Sequence, residues 1–152
     1  MKDALLSYIG CTKGLHTWFH AAHHVTKGVG FAGDHVNLYG EIYNGISEDF
    51  DKLVEKSIMA ADSEDVACPI MITKIATKVL SQYETPAGRG GDAISAIGLE
   101  YMRNHVNNLT ELYKILDSCG ALTLGMDDYL ASAANQYEGY IYLLTQRVKR
   151  GV

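Results

Sequence analysis

Proline is nearly absent: only Pro69 and Pro86 occur in 152 residues, while Ala, Leu, Ile, Met, Glu and Lys are plentiful, so helix is favoured. There is no run of eighteen apolar residues, which excludes a helical membrane span. The opening stretch MKDALLSYIGCTKG lacks the basic start and sustained apolar core of a secretory signal, so a cytoplasmic location is expected. The three cysteines, Cys11, Cys68 and Cys119, are far apart and form no C-x-x-C, which excludes a disulfide framework and predicts buried, reduced thiols. A Lys-rich arm is missing too: before the first helix stand only Met1, Lys2 and Asp3. With a net charge of −5 and a pI near 5.6, the chain has no general attraction for nucleic acid.

What remains is a sequence that is 47% apolar and long enough to bury a substantial core as one domain, residues 1–152. Apolar residues recur at helical spacing in five stretches. The first runs from Asp3, a candidate N-cap, to about Lys27, with Gly28 as its stop. Gly10 and Gly14 within it would let a neighbouring helix approach closely. The second starts at Asp34 as a cap and reaches Ala61 with Leu38, Ile42, Ile46, Phe50, Leu53, Val54 and Ile58 on one stripe. DSEDVACP then breaks the pattern. A shorter helix follows over about Cys68 to Tyr83, carrying Ile70, Ile72, Ile75, Val79 and Leu80. The loop ETPAGRGGD leads to a helix over about Asp92 to Ser118, and a last one runs from about Met126 to Lys149. The reading is all-α: a four-helix bundle with a short extra helix in the crossover between its second and third members.

Five of the six histidines fall between His16 and His35. His16, His20 and His23 lie within about 60° on one helix face. A lone helical histidine is usually structural, as is expected of His105, but such a cluster points to metal. Asp51 and Glu55 stand four apart, about 400° of helical rotation, and so share a face, with Glu48 on much the same side. Taken by themselves, Asp49, Asp51 and Glu55 read as a solvated face. Beside the histidines they gain weight, because imidazole and carboxylate together suit iron or zinc better than calcium or Cu(I). Asp117, Asp127 and Asp128 flank the last turn, where capping is the simpler reading.

The order of these residues resembles the Dps family, the mini-ferritins of the ferritin-like superfamily. FHAAHHVTKGVGFAGDH places His20, His23, Gly28, Phe31 and His35 as in the family signature. Asp51-Lys-Leu-Val-Glu55-Lys56 is similar to its Asp-x-x-x-Glu-Arg, and Leu130 to Leu144 resembles its last helix, with Glu138 and Tyr142 at the usual Glu and Trp positions. There are departures: His24 replaces a Trp, and Asp34 replaces a Leu. The sixteen-residue interval from His35 to Asp51 is one longer than usual, so either a π-bulge absorbs it or the second helix starts differently.

The resemblance implies a ferritin-like bundle assembled as a homo-oligomer, a dodecamer built from dimers. It implies a ferroxidase that binds and oxidises Fe(II) with H2O2 or O2 at a mono- or di-iron site between subunits and stores Fe(III), protecting against oxidative damage. Zinc is a substitute metal. The ligands implied are His23 and His35 from one chain and Asp51 and Glu55 from its partner, with His20 and Glu48 in reserve. The chain has no Glu-x-x-His and no histidine after His105, which disfavours a di-iron site inside one bundle. The alternatives are a DNA-protecting nucleoid protein with little iron chemistry, or a DinB-like metal-dependent bundle, which needs a late His-x-x-x-His that is missing here. DNA binding is expected to be weak or absent, because Arg147, Lys149 and Arg150 are the only basic tip and are more simply read as complementing a helix dipole.

Overall fold

The computed structural model describes residues 1–149, and among them there is helix and no strand. α1 (Lys2–Val25), α2 (Glu41–Ala61), α4 (Gly91–Ser118) and α5 (Leu124–Val148) form the bundle, and α3 (Pro69–Gln82) lies in the α2–α4 crossover. α1 packs on α2, α3 and α4, while α5 packs on α4 and α2. The architecture is the one the apolar periodicity predicts.

Several local expectations give way. Leu5 N–H bonds the Met1 carbonyl at 3.0 Å, so α1 begins before Asp3, which sits in the first turn and complements the dipole instead of capping. Thr26, extended at φ −59 and ψ 146, ends α1; Gly28 follows two residues later and supplies the φ of +88 for the turn. Asp34 is no cap either. A π-helical segment, Gly33–Gly40, runs directly into α2, and Asp34 is buried within it. At the start of α5 the cap is Thr123, whose Oγ1 accepts from Met126 N–H at 3.1 Å, while Asp127 accepts the Tyr113 hydroxyl at 2.8 Å. All three cysteines are free, but Cys119 is exposed where α4 ends and Cys11 and Cys68 are only half-buried, contrary to the buried thiols expected.

Gly10 and Gly14 do admit a neighbour. A Cβ at Gly10 would lie 2.3 Å from Ile75 Cγ2, and one at Gly14 3.3 Å from Val79 Cγ1, both on α3. Ile72 and Ala76 are the buried residues of α3, whereas Ile70 stays exposed. The crossover is tied down by Trp18 Nε1–H on the Glu84 carbonyl at 2.8 Å and by Glu84 N–H on the Tyr101 hydroxyl at 2.6 Å.

The bundle centre holds a polar network among apolar neighbours. Asp49 is buried and accepts hydrogen bonds from the hydroxyls of Tyr129, at 2.7 Å, and Tyr137. The solvated-face reading therefore fails for Asp49, which falls on the core stripe of Ile42, Ile46 and Leu53. Both phenols have pKa values raised by burial, with the Asp49 carboxylate adding to the rise. Nearby, buried His105 meets the Tyr8 hydroxyl through Nε2 at 3.0 Å, and burial lowers its pKa to about 3.

His105 makes stability depend on pH. Its folded pKa lies below the unfolded value near 6.5, so the neutral ring it favours contributes fully above that value. The contribution falls as pH drops from about 6.5 toward about 3, by up to about 1.4 kcal/mol per pH unit. Denaturant unfolding at pH 7 and pH 4.5 should show a steeper loss for the natural chain than for His105→Gln. Equal slopes would mean that the ring is accessible to protons.

Candidate metal centre

α1 presents its histidines along one edge facing the start of the second helical stretch. His16, His20 and His23 are half-buried and His24 is exposed. Tyr43 of α2 packs among them, with ring centroids 4.5 Å from His20, 5.0 Å from His23 and 6.0 Å from His16. Burial, then the neighbouring charges of Lys13 and His20, lowers the His16 pKa. Burial, then His24 and His23, lowers that of His20. Neutral rings are the metal-binding form.

His23 and His35 form a reciprocal pair. Each ring donates Nδ1–H to the other's backbone carbonyl, His35 to His23 at 2.7 Å, and the rings stack at 3.9 Å with an interplanar angle of 12°. A carbonyl only accepts, so each Nδ1 carries a proton, and in the neutral tautomer this selects, each Nε2 keeps its lone pair. Orientation by a bond from the other ring nitrogen is how metal-binding imidazoles are usually held. Phe31 stacks on His35 at 4.9 Å. Gly40 leaves room for the pair: a Cβ there would stand 2.9 Å from the His35 carbonyl oxygen and 3.4 Å from His23 Nδ1.

The π segment contains His35 and Gly40. Its i→i+5 winding holds more residues per turn than an α-helix and so accommodates a longer interval between His35 and Asp51. Asp34, beside His35, gives both carboxylate oxygens to Arg147, with Nε at 2.7 Å and Nη2 at 2.9 Å; Nη1 reaches Asp92 at 2.7 Å. Those carboxylates raise the Arg147 pKa further. Gly30 and Gly91 close around the pair, since a Cβ on either would fall within 3.0 Å of the Arg147 guanidinium and the Asp34 carboxylate.

Arg147 thus anchors the end of α5 and is no free basic tip, while Arg150 lies outside the described residues. Asp51, Glu55 and Glu48 are exposed on α2. Among the described residues, no group of three or more His, Cys, Asp or Glu stands close enough to hold an ion. The structure therefore unites His23 with His35 and does not join the carboxylates to them within one chain. Glu138 and Tyr142 of α5 are exposed as well.

Sequence reasoning missed three contributors: Tyr43, Gly40 and the Asp34–Arg147 pair. Tyr43 stands one helical turn from Tyr39, and Asp34 was visible as a departure from Leu, but nothing in the sequence paired it with Arg147.

No family model and no curated protein matches this chain. Solved structures do. A tetragonal form of Dps from Mycobacterium smegmatis superposes with a TM-score of 0.81 at 17% identity, covering 99% of this chain and 86% of that one. Dps from Staphylococcus aureus gives 0.79 at 19% identity, covering 99% and 95%. The DPS protein from Vibrio cholerae O1, described as one of a broad superfamily of ferritin-like diiron-carboxylate proteins, gives 0.79 at 14% identity over 97% and 88%. The fold is thus that of Dps, a ferritin-like helical bundle. Among the described residues no helix is long and apolar enough to cross a membrane.

Proposed function

We propose that the chain is a mini-ferritin that takes Fe(II) as substrate, oxidises it with H2O2 or O2 and stores Fe(III) inside a homo-oligomeric shell, a dodecamer built from dimers. The observation that carries this reading is the His23–His35 pair, whose Nδ1 atoms are engaged and whose Nε2 lone pairs are free. Asp51 and Glu55 of a second subunit complete the donor set, with His20 and Glu48 in reserve. Two imidazoles and two carboxylates hold Fe(II) and leave positions open for oxidant. With peroxide, two Fe(II) each give one electron, the O–O bond breaks, and two protons complete two waters. Carboxylate charge then favours Fe(III) over Fe(II). Zn(II) occupies the same donors as an inert competitor.

The test is anaerobic Fe(II) titration of the assembled protein, followed by H2O2. Rapid oxidation with iron retained in a large particle is expected. Oxidation no faster than in buffer would remove the ferroxidase reading.

DNA is a weak partner in this reading. Binding duplex requires free Lys and Arg to neutralise phosphates, and Arg147 is committed to Asp34 and Asp92. Plasmid DNA should run unshifted with the protein at physiological salt. Salt-sensitive retention would favour the nucleoid alternative.

A further inference from the structure

We infer that His20 and His24 form a second divalent-metal site on α1, complete within one chain and suited to Zn(II), Ni(II) or Cu(II), with His16 as an alternate partner of His20. This goes beyond the iron reading and does not need a second subunit.

The three residues stand at i, i+4 and i+8, so they form one row along the helix. Two imidazoles sharing one ion at about 2.1 Å hold their ring centroids about 5 Å apart. His20 and His24 are 4.4 Å apart and His16 and His20 are 5.8 Å apart, on either side of that value. The outer two are separated by about 12 Å of helix, so one ion takes one pair at a time and His20 is common to both. The His23–His35 pair differs: its rings are nearly parallel at 3.9 Å with each Nδ1 committed to a backbone carbonyl, whereas among the described residues no hydrogen bond engages the rings of His16, His20 or His24. Exposed His24 gives an ion direct access from solvent, and Tyr43 backs His20 and His16.

The donor set sets selectivity. An all-imidazole pair without carboxylate follows an affinity that rises from Fe(II) through Ni(II) to Cu(II), with Zn(II) below Cu(II), and offers little to Mg(II) or Ca(II).

The experiment is equilibrium dialysis of Ni(II) against the metal-free, full-length protein at pH 7.5. Natural chain, His24→Gln and His16→Gln/His24→Gln are compared, and Fe(II) oxidation is measured in parallel. The double variant should lose one Ni(II) per chain, or bind it at least about tenfold more weakly. The single variant should be intermediate because His16 can replace His24, and since His24 is exposed it also controls for folding. Iron oxidation should be unchanged in both. Unaltered Ni(II) binding in the double variant would overturn the inference, as would loss of nickel and iron oxidation together, which means one shared site. Nickel loss that follows His16 and His24 in a protein that never oxidises iron would uphold this site while removing the proposed function.

Discussion

Replacing His23 and His35 together with alanine should reduce rapid Fe(II) oxidation to the rate in buffer, while leaving helix content and assembly size unchanged. In the proposed site the two rings supply half of the donors; each ring is oriented by its own Nδ1 bond to the other residue's backbone carbonyl, and the two stack at 3.9 Å. Alanine at either position keeps the backbone carbonyl that orients the remaining ring but removes one donor and the stacking partner, so each single substitution should slow oxidation and the double should slow it further. The rings are half-buried and sit at the edge of the bundle, so their loss opens no core cavity. Stopped-flow absorbance with Fe(II) and H2O2, alongside circular dichroism, separates the two effects. Oxidation at the natural rate in the double variant would show that the pair is structural.

Arg147→Ala should be the most damaging single change to stability away from the apolar core. Asp34 is 3% exposed, and its two oxygens are met by the same guanidinium. Deleting the cation leaves a buried carboxylate without its counter-charge, a loss of about 3–5 kcal/mol for a fully enclosed pair. The Arg147 side chain is 25% exposed, so water can reach the gap and the lower end of that range applies. Asp92 is 93% exposed and adds little. Replacing both partners, as Asp34→Leu with Arg147→Met, should recover most of the loss because no charge is then stranded. Urea unfolding of the single and double variants measures this. A single-variant cost below about 1 kcal/mol would mean that the pair is solvated.

Periodicity located each of the five helices within a few residues, because Ile42, Ile46 and Leu53, or Leu109, Leu112 and Leu116, mark buried stripes that nothing else in the sequence obscures. Gly10 and Gly14 likewise announced the close approach of α3. What stayed hidden was pairing at long range. Asp34 has the chemistry of a cap, and only the fold brings Arg147, 113 residues later, against it. Asp49 lies two residues from Asp51, yet its register puts it among tyrosines of α5, so composition suggested solvent where geometry places the core. The π segment was legible only as a one-residue surplus whose location the sequence left open. His23 and His35 were identifiable by position, but their mutual Nδ1 bonds depend on how α1 and the π segment meet.

A site shared between subunits makes a demand that no single-chain site can meet. A His23→Ala/His35→Ala chain and an Asp51→Ala/Glu55→Ala chain, each inactive alone, should regain activity when co-expressed. Random pairing makes half of the two-fold interfaces mixed, and each mixed interface carries one intact site of two, so roughly a quarter of the natural Fe(II) oxidation rate is expected. Intact assemblies of the two chains with no regained oxidation would contradict the shared site.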